Sequence, residues 1–169
     1  PFLGADPSTP AAAGEARAGV IREGPAGELA LFGGVNAEGR SGDVKIYNSR
    51  VQFIIQGPYQ SHGYVPVGGG VIDAELVRED GVLGRDLVED TTITFGLARL
   101  FEASAVEVLA DGSDGGAAVV RARGTDVAWG WFQGMFELED PSMDPLELAI
   151  TTTYTLDPDS YDLAITTTM

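Results

Sequence analysis

The chain has 169 residues, 44% of them hydrophobic, and sets 26 acidic residues against 10 basic ones for a formal charge of −16. That is enough chain for one domain with a real core and too apolar a composition for intrinsic disorder. Lys45 is the sole lysine and no basic cluster exists, which argues against phosphate-backbone binding and against docking on anionic membranes. The absence of cysteine removes disulfides, zinc–thiolate sites and iron–sulfur clusters. No apolar run is long enough to cross a bilayer as a helix. The acidity itself reads as solubility, cation attraction, a saline setting or compositional bias of the source.

Residues 1–15 are rich in Pro, Ala and Gly and carry little periodic apolar signal, so they read as a flexible tether or an arm. Residues 16–169 then form a single domain. Segments 16–23 and 28–32 are weak strand candidates, separated by Gly24-Pro25, a step that blocks one continuous helix. Strands over 43–48 and 50–56 alternate apolar and polar residues with period two. Asn48-Ser49 between them makes a tight turn, since Asn tolerates positive φ.

A strand over 71–78 follows Gly68-Gly69-Gly70. Residues 91–97 alternate again. Segments 104–110 and 117–123 pair around the turn sequence DGSDGG. Residues 127–138, VAWGWFQGMFEL, read as either strand or short helix. The last hairpin joins 147–156 to 161–169. A four-residue loop, Asp157 to Ser160, would place Leu156 opposite Tyr161, Tyr154 opposite Leu163 and Thr152 opposite Ile165. The near-duplicate LAITTT in the two strands reads as two similar strands and not as a repeat architecture. About ten strands at short spacing and little helix give an all-β fold, an antiparallel β-sandwich.

Three constellations could carry function. The first is the loop PYQSHGYVPVGGG with Tyr59, His62 (the only histidine) and Tyr64, joined by the aromatic group around Trp129 and Trp131. These rings could stack a sugar or a partner surface, or fill the core. His62 could act as a base or a ligand contact, or have no role. The second is the set of acidic turns: Asp111 and Asp114 in one, Asp157 and Asp159 in another. Such oxygen-rich loops suit calcium, although Asp, Gly and Pro are also what turns require. The third, the triple glycine, leads into a strand and not a helix, so it offers no phosphate cradle. No catalytic motif is present, neither a multi-histidine metal set nor a GxSxG elbow.

The stretch GDVKIYNSRVQFIIQ…GGGVIDAELV, with the later VEVLADGSDGGAAVVRARG and ITTTYTLDPDSYDLAITTTM, resembles galactose-mutarotase-like β-supersandwich domains. From about Gly19 to Met169 the chain is similar to uncharacterised exported bacterial proteins, some of which carry a PHP-type metallohydrolase domain after such a unit. The resemblance implies a supersandwich-like fold, and no catalytic residue carries over from it. Together with a start at Pro1 and an end inside a strand pattern, it suggests a processed or partial chain whose domain continues past Met169.

The expectation is therefore a non-enzymatic, exported β-domain, at the cell surface or extracellular with the periplasm left open, in a structural, assembly or binding role. Self-association, other surface proteins or calcium contact would serve that role. A carbohydrate-binding or carbohydrate-active domain is the alternative. A third reading is the accessory N-terminal domain of a larger metal-dependent hydrolase.

Overall fold

The computed structural model describes the chain except residues 1, 62–63, 79–85, 87, 97 and 136–143. Among the described residues nine strands form two antiparallel sheets that pack face to face, so the expected all-β sandwich is what the chain builds. The first sheet is a meander of β1 (Ala16–Val20), β2 (Val44–Asn48), β3 (Val51–Ile55) and β4 (Val71–Leu76). The second runs β5 (Thr94–Phe95), β6 (Arg99–Asp111), β7 (Ala118–Ala128), β8 (Ile150–Leu156) and β9 (Leu163–Thr168).

Period-two alternation decides which side chains meet between the sheets. From the first sheet come Ala16, Ala18, Val44, Ile46, Val51 and Ile55; from the second come Phe101, Val108, Val120, Ile150, Tyr154 and Leu156. Tyr154 is the one buried phenol in this layer, and its hydroxyl donates to the Gly69 carbonyl at 2.5 Å, so the polar tip is not stranded.

Several local expectations change. Residues 28–32 are not a strand. Gly24, at φ 96°, turns the chain, and Pro25 opens a short helical turn, α1 (Pro25–Glu28). Ala30 and Phe32 then fold back with Ile21 over Ile54 and Ile72, forming a second small core on the outer face of the first sheet. The strand expected over 91–97 is only Thr94–Phe95. Residues 127–138 divide: β7 continues to Ala128, and α2 (Gly130–Met135) follows.

The last hairpin keeps its faces but shifts by two residues. Leu156 pairs with Leu163, Tyr154 with Ile165 and Thr152 with Thr167, around a loop of residues 157–162. A two-residue shift preserves which side chains face the core, whereas a one-residue slip would reverse them. The longer loop has a physical cause. Asn48 donates through Nδ2 to the carbonyls of Asp157 (3.0 Å) and Ser160 (2.8 Å), holding both ends of the turn. The Asp162 N–H is taken by the Ser160 hydroxyl at 2.8 Å, so it is lost to the ladder.

The N-terminal arm lies along β1. Ala5 donates to the Ala18 carbonyl and Val20 to the Leu3 carbonyl, both at 2.9 Å. The Tyr47 hydroxyl sits between the carbonyls of Asp6 (3.0 Å) and Thr9 (2.9 Å). The arm thereby covers the free edge of β1.

Candidate functional site

Part of the expected aromatic group assembles, from the Tyr64 loop and the stretch 129–132. Tyr64 meets Trp129 edge-on at 5.7 Å between ring centroids and Trp131 at 5.2 Å. Trp129 and Trp131 are 5.9 Å apart, and Phe132 stacks on Trp129 at 5.4 Å. Trp129 is fixed from beneath by Val65, Val67, Leu100 and Val127, and its backbone N–H donates to the Ala98 carbonyl at 2.8 Å. Tyr64 and Trp131 stand outward at 60% and 51% exposure. The Trp129 Nε1–H finds no acceptor among the described residues.

Tyr59 lies elsewhere. Its hydroxyl donates to Asp43 Oδ1, and the Arg40 guanidinium covers its ring at 3.6 Å. Asp43 also accepts from the backbone of Gly57 (2.8 Å) and Arg40 (2.7 Å). Burial raises the carboxyl pKa of Asp43, and these donors offset part of that rise. Burial, and then the Asp43 contact, raise that of Tyr59. This network closes a loop and leaves Tyr59 out of the aromatic patch. His62 lies outside the described residues.

The acidic turns sit at one end of the second sheet. Asp111 Oδ1 caps the Ser113 N–H at 3.0 Å and Asp114 Oδ1 caps the Gly116 N–H at 2.9 Å, the usual work of Asx turns. Asp159 lies 3.8 Å from Arg50, and the Asp157 carbonyl is held by Asn48. Among the described residues no group of three or more His, Cys, Asp or Glu is arranged to hold a metal ion.

Two further features escaped the sequence reading. One is a cavity of about 300 Å³ between the arm and the outer face of the first sheet. Its floor holds Lys45, Gln52 and Glu75, which period-two alternation puts on the side away from the core. Lys45 Nζ donates to the Ala30 carbonyl at 3.1 Å and faces the rings of Phe32 and Tyr47 at 5.3 and 5.1 Å. Burial pushes its pKa down to about 8. Glu75 is only 7% exposed. Its cover is the thin arm and not the sandwich core. Burial raises its pKa, offset by a 3.2 Å hydrogen bond from Gln52 and by the Lys45 charge.

The other feature is the outer strand of the second sheet. In the described chain β9 pairs with β8 alone. It carries no charge and no proline. The core covers only its start, at Leu163, so Ile165 and Met169, farther along the same face, are 51% and 76% exposed. Neither a protein-family model, a curated protein nor a solved structure matches this chain.

Proposed function

We propose that this chain is a non-enzymatic β-domain, exported to the cell surface, whose role is assembly: two copies join edge to edge through β9. The relation to galactose-mutarotase-like supersandwich domains belongs to this proposal, and the long β6–β7 hairpin supports it. One observation carries the assembly reading. Residues 148–153, which run into β8, repeat the six residues of β9, LAITTT, and the two strands pair with Thr151 opposite Thr168, Thr152 opposite Thr167 and Thr153 opposite Thr166. That register is symmetric about the fifth residue of the motif. A second copy's β9 can therefore meet the outer edge of β9 in the same residue register, with hydrogen-bonded and non-hydrogen-bonded pairs exchanged and Thr167 on the two-fold axis.

In that arrangement Ile165 of each copy lies opposite Met169 of the other, covering the two exposed apolar side chains. An uncovered strand edge is otherwise a site for uncontrolled pairing. The interface is small and belongs to the weak, transient class. Two copies each carrying −16 repel, so salt should strengthen the dimer. Light scattering after gel filtration tests this. The expected result is a concentration-dependent dimer that increases with salt and is lost in Ile165→Lys. That substitution reduces the repulsion between acidic copies, so charge cannot account for the loss. A dimer that survives Ile165→Lys contradicts the reading.

A second reading, carbohydrate binding, draws support from the outward rings of Tyr64 and Trp131 on a rigid base. Aromatic faces suit the C–H side of a pyranose ring. Trp129 and Trp131 are the only tryptophans, so selectively excited tryptophan fluorescence reports on this patch alone. Titration with soluble polysaccharides should change the emission, and Trp131→Ala should remove the response. Unchanged emission across the panel rejects this reading and leaves the β9 proposal untouched.

A further inference from the structure

We propose that the cavity between the N-terminal arm and the first sheet binds a small zwitterion of the free α-amino acid class. Its ammonium group would donate to Glu75 Oε1, and its carboxylate would accept from Lys45 Nζ.

The decisive atom is Glu75 Oε1. It is buried, and among the described residues no protein donor reaches it, although Oε2 is served by Gln52 at 3.2 Å. A buried carboxylate oxygen without a donor is costly, so it marks a place where a donor belongs. Lys45 completes the pattern. Of its three N–H bonds one goes to the Ala30 carbonyl. Lys45 and Glu75 attract each other but form no ion pair. Two opposite charges thus stand on one cavity floor without neutralising each other directly.

That arrangement selects the ligand. A simple carboxylate would satisfy Lys45 and set a like charge against Glu75. A simple amine would do the reverse. A polyol could hydrogen-bond to both and would leave both charges uncompensated in a buried site. A zwitterion meets both with opposite charge and brings no net charge of its own. Arg78, exposed at the rim, is a cation near Glu75 and stands apart from the proposed carboxylate contact. Pro7, Pro10, Leu29 and Val77 give the lining an apolar part that would take an aliphatic side chain, beside the polar Ser8 and Thr9. The volume lies at the small end of ligand pockets, which fits a molecule of this size.

Isothermal titration calorimetry on the intact chain tests the proposal with glycine, L-alanine and L-leucine. N-acetyl-L-leucine and L-leucinamide serve as ligands lacking one charge each. The free amino acids should bind, L-leucine tightest, and each blocked analogue should bind at least about tenfold more weakly. Glu75→Gln and Lys45→Met should each weaken L-leucine by at least about tenfold, with the far-ultraviolet circular dichroism unchanged. Trp131→Ala should leave binding intact. Should a floor variant fail to fold, Leu29→Glu on the exposed part of the wall replaces it, with an expected loss of L-leucine binding of a few fold. No heat with any free amino acid overturns the proposal. Equal binding of the blocked analogues, or binding of glucose or glycerol in their place, does the same.

Discussion

The side-chain amide of Asn48 donates to the carbonyl of Asp157 across 3.0 Å, tying the β2–β3 turn of one sheet to the β8–β9 loop of the other. Asn48 is fully used: Oδ1 accepts from Arg50 (2.8 Å) and Val51 (2.9 Å), and Nδ2 donates to Asp157 and Ser160. Only an amide has this combination. Asn48→Ala should cost about 2–4 kcal/mol by urea unfolding, since it strands buried groups on both sides. Asn48→Asp should be no better. It keeps the acceptor and turns an oxygen toward two carbonyls. Near-wild-type stability in Asn48→Asp would show that the bridge contributes little.

Asp73 supplies a pH-dependent prediction. Its carboxyl is fully buried and accepts from the backbone of Glu38 and Gly39, both at 2.9 Å. Burial pushes its pKa up to about 6 against these donors, and the nearby Asp86 charge adds to the rise. Among the described residues Asp86 Oδ2 has no donor, and the two carboxyls hydrogen-bond to each other by sharing a proton. A carboxyl held above its unfolded value of 3.8 binds its proton more tightly in the fold. The resulting stabilisation is full below that value and is lost as pH rises through about 6. Stability should therefore increase by about 1 kcal/mol between pH 7 and pH 5. Asp86→Asn provides a permanent donor to Asp73. It should raise the melting temperature at pH 7 and flatten this part of the profile.

Gly19 holds the arm in place by having no side chain. A Cβ there would lie 1.9 Å from the Ala5 carbonyl oxygen, which is backbone and cannot move aside cheaply. Gly19→Ala should release the arm while the sandwich stays folded. Limited proteolysis would then cut within residues 3–15 much faster than in the wild type. Loss of the arm also removes one wall of the cavity, so amino-acid binding should fall in the same variant.

Much of the sandwich can be read directly from the chain. Alternation in Val44–Asn48, Val51–Ile55 and Ile150–Leu156 marks the core faces, and those faces are where expected. What failed was set by distant partners. The β8–β9 register depends on Asn48, more than a hundred residues away in sequence. Residues 28–32 alternate like a strand but are drawn into a turn that covers Ile54.

The candidate sites follow the same division. Tyr64, Trp129 and Trp131 were legible because exposed and core aromatics share a composition signal, and the fold brings them together. The Lys45–Glu75 cavity was not. Lys45 and Glu75 look like ordinary solvent-facing strand positions until the arm folds over them. The LAITTT duplication was visible, but its meaning needed the observed pairing and the free edge of β9.

Single-cysteine cross-linking tests the β9 assembly most directly, because the chain contains no cysteine of its own. In the proposed two-fold register Thr167 faces its own counterpart, whereas Thr166 faces Thr168 and lies diagonal to its copy, about 7 Å away. Thr166 is the more exposed of the two, so random collision would favour a cysteine there. The account predicts that Thr167→Cys forms a disulfide-linked dimer on mild oxidation well before Thr166→Cys does. Faster linking at position 166, or equal rates at both, would contradict it.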